Sequence, residues 1–64
     1  MYENIRQEMR ASNLTAEGMA EMLGVTALRL ERWVSGQEGI PARKLLEIMR
    51  LLGAGSADYL LDRG

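Results

Sequence analysis

The chain has 64 residues, 47% of them hydrophobic, which leaves room for one small core. It contains no cysteine and no histidine, which excludes disulfides and the usual zinc ligands, so we expect no metal or cofactor. Its formal net charge of −1 is low for a protein that binds nucleic acid, because neutralising phosphates supplies much of that affinity.

Apolar residues recur at helical spacing in short blocks separated by glycines, and the period-2 alternation of strands is absent. The first predicted helix runs from Tyr2 to about Ala11, and Asn13 is a plausible left-handed stop. Thr15 is a good N-cap for a second helix. Gly24 ends that helix, since glycine tolerates the positive φ found just past a helix end.

Three further helices follow. Thr26 can cap a third helix running to about Val34. After a loop, Pro41 fits the first position of a fourth helix, where its missing N–H costs nothing. Ser56 can cap a short fifth helix over residues 57 to about 62. The sequence therefore predicts an all-α fold of five helices.

Residues 1–64 read as a single domain, without repeats or a linker. No apolar run approaches the ~20 residues of a membrane-spanning helix, and the first residues lack the pattern of a signal peptide. We therefore expect a cytoplasmic protein with no membrane partner.

The joint between the second and third helices is the most informative part of the sequence. Only residues 24–26 separate the two helices, and so short a link makes them cross steeply, as in a helix-turn-helix over about residues 15–35. At ~100° per residue, Leu30 and Trp33 fall on an inner arc. The outward arc holds Ala27, Leu28, Glu31 and Arg32.

In this region the sequence resembles the Cro/cI-like, or XRE-type, helix-turn-helix domains. The resemblance covers nearly the whole chain and implies a compact, lambda-repressor-like fold whose third helix enters the DNA major groove. The residues that carry it are Leu14-Thr15, Met19-Ala20, Leu23-Gly24-Val25-Thr26, Leu30, Arg32-Trp33, Gly36, Pro41, Leu52-Gly53 and Asp58-Tyr59-Leu60-Leu61.

The resemblance also implies roles for individual residues. The base-facing positions would be Thr26, Ala27, Leu28 and Arg32. Residues near phosphates would be Thr15, Arg29, Ser35 and the loop that begins at Gln37. We expect Arg43 and Lys44, at the start of the fourth helix, to contact phosphates as well. Arg32 is our first choice for a base contact, through guanine O6 and N7. The alternative for Arg32 is an exposed charge paired with nearby Glu31.

Several positions depart from the family pattern. Ala16 stands where a phosphate-gripping glutamine is common, the loop carries Glu38 instead of basic residues, and Ala27 and Leu28 replace polar outward residues. A charge pair common in the family is lost at both partners, here Met9 and Val34, which predicts an apolar contact.

The predicted function is therefore sequence-specific binding of double-stranded DNA by a repressor-like transcriptional regulator. We expect a homodimer, with apolar surface at Tyr59, Leu60 and Leu61. No nucleophile, base and orienting group occur together, so an enzyme is not expected. The alternative is a helix-turn-helix fold that has become a protein-interaction module with weak or no DNA binding.

Overall fold

The structure, a computed structural model, describes residues 2–62, which form helices and loops without any strand. The elements in chain order are α1 (Glu3–Ala11), α2 (Ala16–Leu23), α3 (Ala27–Ser35), α4 (Ala42–Leu52) and α5 (Ala57–Leu60). The predicted all-α fold of five helices is confirmed. The predicted domain limits, 1 and 64, lie outside the described residues. Within residues 2–62, no helix is both long and apolar enough to cross a bilayer.

Hydroxyl side chains cap α2, α3 and α5 at the predicted places. Thr15 Oγ1 accepts a hydrogen bond from the Gly18 amide at 3.0 Å. Thr26 Oγ1 accepts one from the Arg29 amide at 3.1 Å. Ser56 caps α5 in the same way. Each cap satisfies an amide that the first turn of a helix leaves without a partner inside the helix.

The turn between α2 and α3 depends on the left-handed conformation of Gly24, whose φ is 72°. This conformation lets the Gly24 amide donate to the Glu21 carbonyl at 3.1 Å, and the Val25 amide to the Ala20 carbonyl at 3.0 Å. The two hydrogen bonds satisfy carbonyls at the end of α2. They also stabilise the tight turn that leads directly into α3.

Three helix ends differ slightly from the prediction. Tyr2 precedes α1, and α5 ends at Leu60 after a single turn. Pro41 is the N-cap residue of α4 and not its first helical residue. Its ψ of 142° is extended, while its carbonyl already accepts the Leu45 amide at 2.9 Å. Such differences of one or two residues are common at helix ends, where the hydrogen-bond ladder is incomplete.

One core collects residues from all the helices, and the inner face of α3 lies in it. Leu30 and Trp33, predicted to face inward, are 0% and 2% exposed. The Trp33 Nε1 has no hydrogen-bond partner among the described residues. Burying a tryptophan removes about 150–250 Å² from water, worth roughly 4–6 kcal/mol, which exceeds the ~1–3 kcal/mol cost of the unpaired N–H. The other buried residues are Tyr2, Ile5, Met9, Met19, Ala20, Leu23, Val34, Ile48, Leu52 and Leu60.

Contacts between α1 and α3 hold the C-terminal end of α3 in place. The Tyr2 amide donates to the Val34 carbonyl at 2.8 Å. The Val34 side chain and that of Met9 belong to the same core cluster, and they are 1% and 8% exposed. The two positions that depart together from the family's charge pair are therefore both apolar and buried.

The last helix is held against α1 by polar contacts. Asn4 Nδ2 donates to the Tyr59 carbonyl at 2.7 Å, and the Tyr59 hydroxyl donates to Glu8 Oε2 at 3.0 Å. This hydrogen bond, with smaller effects of desolvation and of the Glu8 charge, raises the pKa of Tyr59 above its ordinary value.

This arrangement corrects one residue of the expected dimer surface. Leu60 is 0% exposed, because α5 turns this side chain into the core between α1 and α4. It offers no surface to a partner. Tyr59 is 39% exposed and Leu61 is half-buried, so these two remain at the surface.

We predict that Gly24→Ala lowers the free energy of unfolding by about 1–2 kcal/mol, since an L residue is strained at this φ. No neighbouring atom lies within 4 Å of an added Cβ, so the loss measures backbone strain and not a clash. Urea and thermal unfolding measure the change. Gly39→Ala is the matched control, because its Cβ is equally unobstructed and its φ is not left-handed. Equal stabilities for both variants would contradict the role of Gly24.

A second prediction concerns the apolar replacement of the charge pair. Val34→Glu should destabilise the fold by about 3 kcal/mol or more, because it buries an unpaired carboxylate. Adding Met9→Arg should recover part of the loss in urea unfolding. Met22→Arg in the Val34→Glu background is the control, since Met22 is 59% exposed. If arginine at position 9 rescues no better than arginine at position 22, the two sites are not coupled.

Candidate nucleic-acid interface

The paired helices α2 and α3 form the frame of the candidate interface. They pack more extensively on each other than any other two helices of the described chain. The buried side of α2 carries Met19, Ala20 and Leu23, and that of α3 carries Leu30 and Trp33. Because these faces are fixed in the core, the opposite face of α3 is fixed toward solvent.

That outer face combines an apolar side chain with cations. Leu28 is 63% exposed. The Arg29 and Arg32 side chains are 54% and 46% exposed. Leu28 and Arg32 are separated by one helical turn, so they lie on the same side of α3. The face can thus offer guanidinium donors and an apolar contact to one flat ligand surface, such as the edges of base pairs.

Two residues of the predicted outward arc are only partly exposed. Ala27 packs against the core. The Glu31 carboxylate accepts a hydrogen bond from Arg6 Nη2 at 3.1 Å and therefore joins α3 to α1. The helical projection did not include the neighbouring α1, whose Arg6 pairs with Glu31 on this side of α3.

The acidic partner of Arg32 also differs from the one we expected. It is Glu38 of the loop and not Glu31. Arg32 Nη1 lies 3.8 Å from Glu38 Oε1. The other oxygen of the same carboxylate, Oε2, lies 3.6 Å from Arg29 Nη1. One loop carboxylate thus bridges both exposed arginines of α3. It lowers the net charge of this group, because the three side chains together carry one positive charge and the two arginines alone would carry a larger one.

The backbone explains why Glu38 reaches this place. The amides of Gln37 and Glu38 both donate to the Arg32 carbonyl, at 2.9 and 3.1 Å. The Ser35 hydroxyl donates to the same carbonyl at 3.2 Å. Farther along the loop, Ile40 packs against the core. The loop is therefore tied down on both sides of Glu38, and its side chain is directed back along α3.

The proposed phosphate residues occupy different surroundings. Thr15 is exposed, while its hydroxyl oxygen caps α2. Gln37 and Arg43 are exposed. Ser35 is half-buried, with its hydroxyl turned to the end of α3. The Ser35 hydroxyl and the Gln37 amide meet at the Arg32 carbonyl, and Arg29 lies beside the Glu38 carboxylate.

Lys44 has structural partners within the chain. Its Nζ donates to the Leu23 carbonyl, the last residue of α2, at 2.7 Å. The same Nζ pairs with Glu47 Oε2 at 3.0 Å. A cation at a helix C-terminus is favourable because the free carbonyls there are partly negative. Lys44 thus caps α2 from α4, and we leave it out of the proposed phosphate contacts.

Together, the short glycine turn, the buried inner face of α3 and its exposed arginine-bearing face define the class of the molecule as a small helix-turn-helix protein. A comparison with known protein families matches residues 5–60 to the helix-turn-helix family. The chain belongs to this family, in its Cro/cI-like, XRE-type form. It is a family of DNA-binding regulatory domains and not of enzymes. Comparisons with curated proteins and with solved structures gave no match.

Proposed function

We propose that the chain is a sequence-specific transcriptional regulator, repressor-like and cytoplasmic, that reads the DNA major groove with α3. The observation that carries the proposal is the exposed face of α3, on which Leu28 and Arg32 lie one turn apart on the second helix of the pair. Recognition helices of this kind contact base edges with residues of their outer face.

The individual contacts follow from side-chain chemistry. Arg32 can donate to guanine O6 and N7, and Leu28 can contact a thymine methyl. Thr26, the exposed N-cap of α3, would lie at the groove, and half-buried Ala27 would allow close approach. The proposed phosphate contacts, which position the domain without reading sequence, are Thr15, Arg29, Ser35, Gln37 and Arg43.

A second candidate function belongs to another class, a protein-interaction module. It is favoured by the large exposed apolar side chains, which are Met22, Leu28, Leu46 and Tyr59. Met22 also borders a shallow depression between α2 and α4, about 240 Å³ in volume, together with Leu51. In this case Leu28 is an anchor for a protein partner, and neither arginine matters for DNA.

The two functions give opposite results with arginine variants. A duplex is first selected from a random library at moderate salt. We expect Arg32→Ala to lose about 1–3 kcal/mol on that duplex and to relax the choice of one base. Arg29→Ala should weaken all sequences alike and reduce the salt slope by about one unit. Binding titrations at two salt concentrations measure both effects.

The outcomes of that titration are distinct. Equal, sequence-independent losses from both variants would make Arg32 a phosphate contact. If the wild-type chain selects no duplex, the DNA-binding function is refuted and the protein-interaction function is supported. Leu28→Asp should then abolish capture of the partner, because it charges an exposed apolar anchor.

We also propose a homodimer through the exposed surface of Tyr59 and Leu61, with two recognition helices about 34 Å apart on half-sites one helical turn apart. Sedimentation should show a dimer at high protein concentration, and Tyr59→Asp should weaken it. Leu46→Asp is the control, because Leu46 is 53% exposed on a different helix. A wild-type monomer at every concentration, with and without DNA, would refute the dimer. Dissociation by Leu46→Asp alone would move the interface to α4.

A further inference from the structure

We infer that Glu38 competes with DNA for Arg29 and Arg32. Its carboxylate pairs with both arginines in the free protein and must be displaced when the chain binds a polyanion. The inference rests on the proposed DNA-binding function. It starts from one geometric fact. The two oxygens of the Glu38 carboxylate are divided between the guanidinium groups, Oε2 toward Arg29 and Oε1 toward Arg32. On DNA, a phosphate oxygen would replace the carboxylate at Arg29, and a guanine edge would replace it at Arg32.

The contact between Glu38 and the two arginines is a weak ion pair that a stronger anion can displace. Its N···O distances of 3.6 and 3.8 Å exceed the roughly 2.7–2.9 Å of a charge-assisted hydrogen bond. All three side chains are between 36% and 54% exposed, so solvent screens the pairs. The guanidinium groups are therefore held near Glu38 but are not locked to it, and a strong anion can take them over.

The backbone that carries the Glu38 side chain is held by contacts other than these ion pairs. The Glu38 amide is bonded to the Arg32 carbonyl, and Ile40 anchors the rest of the loop in the core. When the arginines turn to DNA, the anchored backbone keeps the Glu38 side chain within reach, so that it continues to compete for them. It therefore lowers affinity for every sequence, and binding depends on the contacts that only the preferred site adds, such as a guanine at Arg32.

The test compares Glu38→Gln with Asp58→Asn, which makes the same change in net charge. Asp58 is exposed on α5, a helix that packs against α1 and α4. We expect Glu38→Gln to tighten binding about 3–10-fold at low salt on both the selected and a scrambled duplex, in line with two freed surface ion pairs. The slope of log affinity against log salt should steepen by about one unit. Asp58→Asn should change both quantities much less.

A double-variant cycle separates competition from plain repulsion between Glu38 and DNA. In an Arg29→Ala background, the gain from Glu38→Gln should shrink by at least half, because one of the two freed cations is missing. A gain that is undiminished without Arg29 would overturn the inference, since repulsion alone does not need the arginine. A Glu38→Gln chain that binds no more tightly than Asp58→Asn would also overturn it.

Heparin affinity chromatography keeps this inference distinct from the proposed function, because heparin is a polyanion without base edges. Glu38→Gln should elute at higher salt than Asp58→Asn. If the wild type selects no duplex but this shift is present, the proposed function fails and the competition is supported. If duplex selection and the loss in Arg32→Ala are seen but the heparin shift is absent, the competition fails and the proposed function stands.

Discussion

The burial of the inner face of α3 is the constraint on which the rest of this structure depends. Leu30 and Trp33 are almost completely removed from water, in a core to which every helix contributes. Trp33 is the only tryptophan of this short chain and the largest fully buried side chain of residues 2–62. A rotation of α3 would expose that surface, so the helix has one stable orientation. The outward direction of Leu28 and Arg32 is a consequence of that burial.

At the end of α3, hydrogen bonds to the helix backbone determine where the charged side chain of Glu38 lies. A helix ends with carbonyls that lack partners in the helix. Here the Arg32 carbonyl receives the amides of Gly36, Gln37 and Glu38 and the hydroxyl of Ser35. The loop folds back as it makes these hydrogen bonds, and this brings an acidic side chain to the basic face. One carbonyl thus links the local geometry of a helix terminus to the electrostatics of the candidate interface.

The low net charge is reflected in ion pairs within the chain. Several of the basic side chains already have acidic partners within the chain: Arg6 with Glu31, Lys44 with Glu47, and both exposed arginines of α3 with Glu38. Such surface pairs are each worth little stability, about 0–1 kcal/mol. Their larger effect is on binding, because a cation that is already paired gains less from a phosphate. Under the proposed function, the domain would therefore depend more on its base contacts.

The sequence by itself determined the helices, their caps and the inner face of α3. These features are local: Thr15 and Thr26 cap through amides three residues away, and Gly24 supplies a φ that other residues avoid. Only the tertiary structure decided which charges meet between different elements. Arg6 and Glu31 are 25 residues apart, and Lys44 reaches Leu23 across 21. The pairing of Glu38 with both arginines, and the inward turn of Leu60, depend on the path of a loop and the packing of a single-turn helix. Helical periodicity specifies which residues share a face, but it carries no information about which neighbouring element covers that face.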